Sequence, residues 1–121
     1  MTEKKRILLV DDDQSILDSM KMALEARGYQ ISTACNGAIG MERVDADLPH
    51  LMILDQMMPE QSGFCVLEYL RQSQSPVPVI MITANEGFRH RAYAENLGVN
   101  EYLQKPFSMD QLVAAVETTL A

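Results

Sequence analysis

Short apolar runs alternate along the chain with longer amphipathic segments. Three of these runs, Ile7–Val10, Leu51–Leu54 and Val79–Ile82, are apolar on both faces and are stopped at once by polar residues. Such runs are typical of central strands in a parallel sheet that helices cover on both sides. Two further candidates, Gln30–Ala34 and Glu101–Gln104, mix polar and apolar residues. That mixture favours edge strands, which have one poorly covered side.

The segments between these runs have helical spacing. A first helix is predicted to end before Gly28, and the second and third are predicted over residues 38–46 and 64–72. A weaker pattern covers residues 87–97 and ends at Gly98. The apolar stripe of the first helix is formed by Ile16, Leu17, Met20, Ala23 and Leu24.

Two helices near the end of the chain have different degrees of apolar patterning. The fourth predicted helix has Tyr93 and Leu97 as its main apolar anchors. Ser108 and Gln111 match a capping box, which predicts the start of a fifth helix. The inward positions of that helix are Leu112, Val113, Val116 and Leu120.

Strands and helices in strict alternation predict an α/β fold. We expect one domain over residues 1–121, a (βα)5 unit with a doubly wound, five-stranded parallel sheet and right-handed crossovers. Because strands 1, 3 and 4 are apolar on both faces, they must be central, and strands 2 and 5 must be edges. The flavodoxin-like order 2-1-3-4-5 satisfies this requirement. In that order ligands bind between strands 1 and 3, at the carboxyl ends of the strands.

Composition and charge exclude several classes of function. The 121 residues are 47% apolar and 22% charged, which is ordinary for a globular domain and argues against disorder. Acidic residues outnumber basic ones by 17 to 10, so nucleic acid and anionic membranes are not expected partners. Neither a signal peptide nor a membrane span is apparent, and we expect a cytoplasmic protein. Cys35 and Cys65 form no CxxC pair and are expected to be buried thiols.

Chemically active side chains follow the predicted strands. Asp11, Asp12 and Asp13 come after strand 1, and Asp55 comes after strand 3. Strand 4 ends in Thr83 and Ala84, and strand 5 is followed by Lys105 and Pro106. Because the carboxyl ends of parallel strands meet at one edge, we expect the following residues to share a rim: Asp12, Asp55, Thr83 and Lys105.

Three clustered carboxylates at that rim would destabilise the fold. Each pair of Asp11, Asp12 and Asp55 a few Å apart repels by about 4 kcal/mol at an effective dielectric near 20. A divalent cation removes this repulsion, and hard oxygen ligands favour Mg²⁺, with Mn²⁺ as the alternative, over zinc. A carboxylate beside such an ion can attack phosphorus. The hydroxyl of Thr83 and the ammonium group of Lys105 match the needs of a phosphoryl group.

Four pieces of sequence stand in a familiar order: ILLVDDD (7–13), LMILDQMMPEQSG (51–63), VIMITA (79–84) and EYLQKPF (101–107). With them the whole chain resembles the receiver (CheY-like) domain of bacterial two-component response regulators. The resemblance implies a phosphorylation-gated switch and not an enzyme with an external substrate. A sensor histidine kinase or a phosphotransfer protein would be the donor. The face of helix 4, strand 5 and helix 5 would then change its binding to a downstream effector.

The resemblance also implies a metal site around the phosphoacceptor. Asp55 would accept the phosphoryl group and, with Asp12, bind Mg²⁺ directly. Asp11 would bind the ion mainly through water, and the backbone carbonyl of Met57 would complete the protein ligands. Asp13, just after the acidic pair, is expected to cap helix 1.

A second set of residues would hold the phosphoryl group and report it. The resemblance implies that Lys105 pairs with phosphoryl oxygens, while Thr83, with Ala84 beside it, contacts the group and acts as a switch. Tyr102 would change rotamer together with Thr83, although it could equally serve only to cover an edge strand. The bond before Pro106 would be cis, which aims the lysine inward.

The sequence departs from the family pattern at a few positions. Gln56 follows the acceptor where the family usually has an apolar residue. Met57 and Asn85 flank the phosphoryl site, where the family tunes hydrolysis, and a bulky Met57 is expected to slow it. The last helix, residues 108–121, has no Lys or Arg. We therefore expect a monomer or a weak dimer and not the charge-paired dimer through helix 4, strand 5 and helix 5.

Two other classes of function remain open on the sequence alone. One is a haloacid-dehalogenase-type phosphatase, which carries a second aspartate where this chain has Met57. The other is a pseudo-receiver that binds partners without phosphorylation and usually lacks an acidic residue or the lysine. This chain has Met57 in place of the second aspartate, and it has the acidic residues and the lysine of a receiver. The receiver interpretation is therefore preferred.

Overall fold

The computed structural model describes residues 4–58, 62–84 and 88–121, with only the backbone described for 88–90. In these ranges strands and helices alternate, and all ten predicted elements are confirmed with ends within about two residues of the expected ones. The strands are β1 (Arg6–Val10), β2 (Gln30–Ala34), β3 (Leu51–Asp55), β4 (Val79–Thr83) and β5 (Glu101–Gln104). The helices are α1 (Gln14–Glu25), α2 (Gly37–Ala46), α3 (Gly63–Gln72), α4 (Phe88–Asn96) and α5 (Met109–Leu120).

The five strands form one parallel sheet in the order β2-β1-β3-β4-β5. The predicted order is therefore confirmed, with the two mixed segments at the edges. Every residue of β3 and β4 is buried, whereas β5 is only partly covered. In the described ranges, no helix has the length and apolar character needed to cross a membrane.

Alternate strand residues pack on opposite faces of the sheet, because side chains alternate with a period of two. One face packs against α1 and α5, and the other against α2, α3 and α4. The first core contains, among others, Ile7, Leu9, Ile53, Ile82, Leu17, Met20, Leu112 and Val116. The second contains, among others, Leu8, Leu54, Met81, Val44, Val66, Leu70 and Ala94.

Polar residues fix the ends of the helices as predicted. The Asp13 carboxylate accepts hydrogen bonds from two backbone N–H groups at the start of α1. Ser108 and Gln111 form a complete capping box at the start of α5. Gly28 (φ +94°) and Gly98 (φ +81°) follow α1 and α4 in the left-handed conformation that favours glycine.

Two predictions about individual residues are wrong. Tyr93 is not a buried anchor of α4, since it is 40% exposed, and among the helix side chains that the structure describes Ala94 is the buried one. The small side chain of Ala94 faces the core, while the Tyr93 hydroxyl donates to Glu68 at the surface. Cys35 and Cys65 are both exposed. Cys35 follows the last, buried residue of β2, where the alternation of strand side chains turns it outward, and Cys65 lies on the exposed side of α3.

Candidate functional site

The ends of β1 and β3 bring two aspartates side by side. Val10 of β1 pairs with Leu54 of β3 in the sheet register, so the next residues, Asp11 and Asp55, lie level with each other. Both carboxylates are buried. The predicted convergence of these residues at the carboxyl edge of the sheet is thus observed.

Asp12 completes a cluster of three carboxylates. One carboxylate oxygen each from Asp11, Asp12 and Asp55 lies within 4.8 Å of the others. Asp12 is exposed, whereas its two companions are not. The cluster is therefore open to solvent on one side and closed on the protein side.

Lys105 reaches the same cluster from the loop after β5. Its backbone N–H donates to the Thr83 carbonyl at 2.7 Å, which fixes the loop to the end of β4. The Lys105–Pro106 bond is cis, as the resemblance implied. The Nζ atom lies 3.4 Å from Oδ1 of Asp55 and 3.9 Å from Oδ2 of Asp11. These are ion-pair distances, and they place a single cation against two buried carboxylates.

Two buried oxygens of the cluster have the Lys105 ammonium group as an ion-pair partner but accept no hydrogen bond. Oδ2 of Asp11 and Oδ1 of Asp55 are buried, and no described residue donates a hydrogen bond to them in good geometry. The other Asp11 oxygen, Oδ1, accepts from the backbone N–H of Asp13 at 2.9 Å. Buried polar atoms that accept no hydrogen bond are rare in folded proteins, and a bound ion would be a further partner for both oxygens.

Burial and charge crowding raise the pKa values of both buried carboxyls. The pKa of Asp11 is raised to about 6, chiefly by burial and further by the nearby Asp55. Burial also raises the pKa of Asp55, although Lys105 opposes the shift. Both shifts mean that the charged forms are less stable here than in water, and a nearby divalent cation would oppose the shifts.

The residues present fit a magnesium ion. The three carboxylates are the hard ligands that Mg²⁺ prefers, and two of them have a buried oxygen that accepts no hydrogen bond. The open side at Asp12 leaves room for the waters that the ion keeps. Met57 lies two residues after Asp55, and its side chain is 61% exposed. Its position next to the cluster is compatible with the carbonyl role expected from the resemblance.

The backbone that carries Asp55 is held tightly by the start of α3. Ser62 caps this helix by accepting from the backbone N–H of Cys65. A Cβ added at Gly63 would overlap the Asp55 carbonyl oxygen and lie 2.9 Å from the Cα atom of Gln56. Glycine is therefore required at this position by the close approach of two backbones.

Thr83 and Tyr102 lie on the face of the sheet that packs against α2, α3 and α4. Thr83 ends β4 and is fully buried, whereas the next residue, Ala84, is exposed. Tyr102 is partly buried, and its hydroxyl donates to Oε1 of Gln56 at 2.9 Å. Asn85 lies outside the described residues.

Gln56 is the site residue that sequence reasoning undervalued. From the sequence Gln56 was only a departure from the family pattern, whereas the structure gives it a buried amide bonded to Tyr102. A signal was present, because alternation after β3 places Gln56 on the inner face and a buried amide needs a partner.

Sequence comparison finds a matching family and related proteins. A family model described as the response regulator receiver domain matches residues 7–117. The response regulator MprA of Mycobacterium leprae is 34% identical over 115 residues, which are 95% of this chain and 50% of that protein. The chain therefore spans about half the length of the curated relatives it matches.

Solved structures show the same fold. A CheY-like response regulator receiver domain protein from Methanospirillum hungatei has a TM-score of 0.93 and 30% identity, with 98% of this chain and 94% of that chain covered. The chemotaxis protein CheY4 of Vibrio cholerae has a TM-score of 0.91 and 26% identity, with 98% and 100% covered.

Proposed function

The chain belongs to the response regulator receiver family of two-component signalling, and on that premise we propose that Asp55 is its phosphoacceptor. The donor would be a phosphohistidine on a sensor histidine kinase or a phosphotransfer protein. A downstream effector would then read the change. The cytoplasmic location, the receiver domain over residues 1–121 and the monomeric or weakly dimeric state expected from the sequence are parts of the same proposal.

One observation carries this proposal. The Asp55 carboxylate is buried beside a second buried carboxylate, and the single cation of Lys105 lies 3.4 Å from it. Because a fold gains nothing from burying two like charges side by side, the arrangement supports a chemical role for the pair.

Asp11, Asp12, Asp55 and the backbone carbonyl of Met57 would hold Mg²⁺. When bound, the ion would neutralise the crowded carboxylates and stabilise the negative oxygens of a phosphoryl group in transfer. The buried oxygens of Asp11 and Asp55 that accept no hydrogen bond support this assignment.

The transfer itself would be carried by Asp55. A carboxylate oxygen attacks phosphorus, a P–O bond forms as the P–N bond to the donor imidazole breaks, and the imidazole nitrogen keeps the bonding electron pair. Lys105 would follow the new charge and pair with the phosphoryl oxygens. Thr83, with Ala84 beside it, would contact the same oxygens from the end of β4.

The signal would leave the site through Tyr102. Movement of the Thr83 hydroxyl toward the phosphoryl group vacates space on the inner face of the sheet. Tyr102, on the neighbouring strand, would use that space, and the face of α4, β5 and α5 would shift between two populations. The guanidinium carbon of Arg91, on α4, lies 5.7 Å from the centre of the Tyr102 ring, which supports a link between this tyrosine and α4.

Intact-mass measurement after incubation with acetyl phosphate and Mg²⁺ tests the proposal. We expect the wild-type chain to gain one phosphate and Asp55→Asn to gain none. Asp13→Asn is a matched control in the same acidic segment, since asparagine caps a helix as well as aspartate, and it should be labelled like wild type. Equal labelling of Asp55→Asn would place the acceptor elsewhere. If the wild type stays unlabelled and beryllofluoride changes nothing, the chain acts without phosphorylation.

We also propose that Met57 lengthens the life of the phosphorylated state. Its exposed side chain lies two residues after the acceptor, where a bulky apolar group would hinder attacking water. Loss of label should therefore be faster in Met57→Asn than in wild type when both are followed by intact mass. Equal lifetimes would contradict this role.

A further inference from the structure

The Tyr102 side chain is bound to the residue that follows the proposed phosphoacceptor. Its hydroxyl donates to Oε1 of Gln56 at 2.9 Å. Gln56 follows β3, and Tyr102 lies on β5, so the side chains meet across β4, which lies between those strands. Thr83, at the end of β4, is on the same face of the sheet, because it follows Met81 by two residues.

Gln56 is a fixed acceptor. Only 2% of it is exposed. Its backbone N–H donates to the carbonyl of Ile82 at 2.8 Å, and its own carbonyl accepts from the backbone N–H of Gly63 at 2.9 Å. The main chain is thus held by both β4 and α3, and the amide is held in place relative to Asp55.

Tyr102 also contacts α4. The guanidinium carbon of Arg91 lies 5.7 Å from the centre of the tyrosine ring, within reach of a cation–π interaction. The Arg91 side chain is 63% exposed and pairs with Glu95 one turn further along α4. One tyrosine therefore joins a buried amide beside Asp55 to a solvent-facing group of α4.

We propose that Gln56 is a positioning residue that holds Tyr102 across β4 in the unphosphorylated protein. This inference rests on the proposed function, because it concerns the same switch. We call the partly buried rotamer whose hydroxyl meets Gln56 the inward state, and the hydrogen bond favours this state without any phosphoryl group. Gln56 therefore raises the resting population of the inward state and reduces the change left for phosphorylation. An apolar residue at this position cannot accept the hydroxyl, and the tyrosine would turn outward more often.

The test uses Gln56→Met, which keeps the length of the side chain and removes the amide. The resting protein, without Mg²⁺ or phosphodonor, is labelled with 3-fluorotyrosine, and the ¹⁹F signal of Tyr102 is assigned by its loss in Tyr102→Phe. We expect the ratio of outward to inward tyrosine to rise about fivefold, the weight of one net hydrogen bond between neutral groups. Gln72→Met, at the exposed end of α3, is the matched control and should leave the signal unchanged.

A second readout separates positioning from mere stability. The Nε–H signal of Arg91 senses the Tyr102 ring, so it should shift in Gln56→Met and in Tyr102→Phe. The double variant should shift no further, because both single changes break the same bond. The proposal would be overturned if the Tyr102 and Arg91 signals of Gln56→Met both appeared at their wild-type positions. If Gln56→Met fails to fold, Tyr102→Phe alone decides, since an unmoved Arg91 signal in that variant contradicts the link.

Adding Mg²⁺ and beryllofluoride distinguishes a failure of this inference from a failure of the proposed function. If Asp55 is not the acceptor, no variant responds to the addition, yet the resting difference between wild type and Gln56→Met persists. If only the positioning role is wrong, the resting signals agree and every variant responds alike.

Discussion

Neutralising Asp11 should stabilise the metal-free protein although it removes a site residue. The Asp11 carboxylate is fully buried, and its pKa is raised from 3.8 to about 6 by burial and by Asp55. Since raising a pKa by one corresponds to about 1.4 kcal/mol, keeping Asp11 charged at neutral pH costs up to about 3 kcal/mol. Asparagine keeps the shape and can still accept from the Asp13 backbone N–H. Asp11→Asn should therefore raise the free energy of unfolding by up to about 3 kcal/mol.

The increase in the free energy of unfolding that Asp11→Asn produces should be larger at higher pH. Because the folded-state pKa lies above the unfolded value, the folded protein binds more protons than the unfolded chain between pH 3.8 and about 6. The Asp11 carboxyl group therefore does not lower the free energy of unfolding of the wild type below that pH window, and it lowers it most above the window. The advantage of Asp11→Asn should be full at neutral pH and should shrink as the pH falls through about 6 toward 4.

Urea unfolding followed by circular dichroism, in EDTA and at several pH values, measures this difference. Asp12→Asn is the control, because its carboxylate belongs to the same cluster but is exposed, and its gain should stay below about 1 kcal/mol. Mg²⁺ should stabilise the wild type by mass action and so narrow its gap to Asp11→Asn. If Asp11→Asn were no more stable than wild type in EDTA at neutral pH, the claim of a costly buried charge would be refuted.

Three further outcomes are expected. Gly63→Ala should lower the free energy of unfolding by about 2 kcal/mol or more, because its Cβ would press on the backbone of Asp55; unchanged urea unfolding would contradict the close approach. Arg71→Met should cost about 3 kcal/mol, because the partly buried guanidinium donates to four backbone carbonyls; thermal unfolding measures it, and a loss below about 1 kcal/mol would make those bonds unimportant. Cys35 and Cys65 are exposed, so both should react with a thiol reagent in the native protein, and protection of either would contradict the fold at that position.

The fold could be predicted because each local signal agreed with the others. Runs such as Leu51–Leu54 are apolar on both faces and can be stable only between two helix layers. Glu101–Gln104 mixes polar and apolar residues and does not suit such a position, and it lies at an edge of the sheet. Where the pattern was weak, the helix was predicted correctly but its buried residue was not. The helix α4 has little amphipathic character, and the small Ala94 is buried instead of the larger Tyr93. A tyrosine can be held by its ring while its hydroxyl stays in water, and spacing alone does not distinguish the two cases.

The order of amino acids alone establishes which residue types stand at the carboxyl ends of the strands. Parallel pairing then requires Asp11 and Asp55 to meet, whatever the details of packing. Three features are known only from the folded molecule: how deeply each carboxylate is buried, that Lys105 lies against two of them, and that Gln56 accepts a hydrogen bond from the hydroxyl of Tyr102. The reason is the separation along the chain over which each effect acts. Periodicity and capping act within a few residues, whereas burial, pKa shifts and cross-strand hydrogen bonds depend on atoms that are far apart in the chain, 46 positions for Gln56 and Tyr102, and are joined only by the folded sheet.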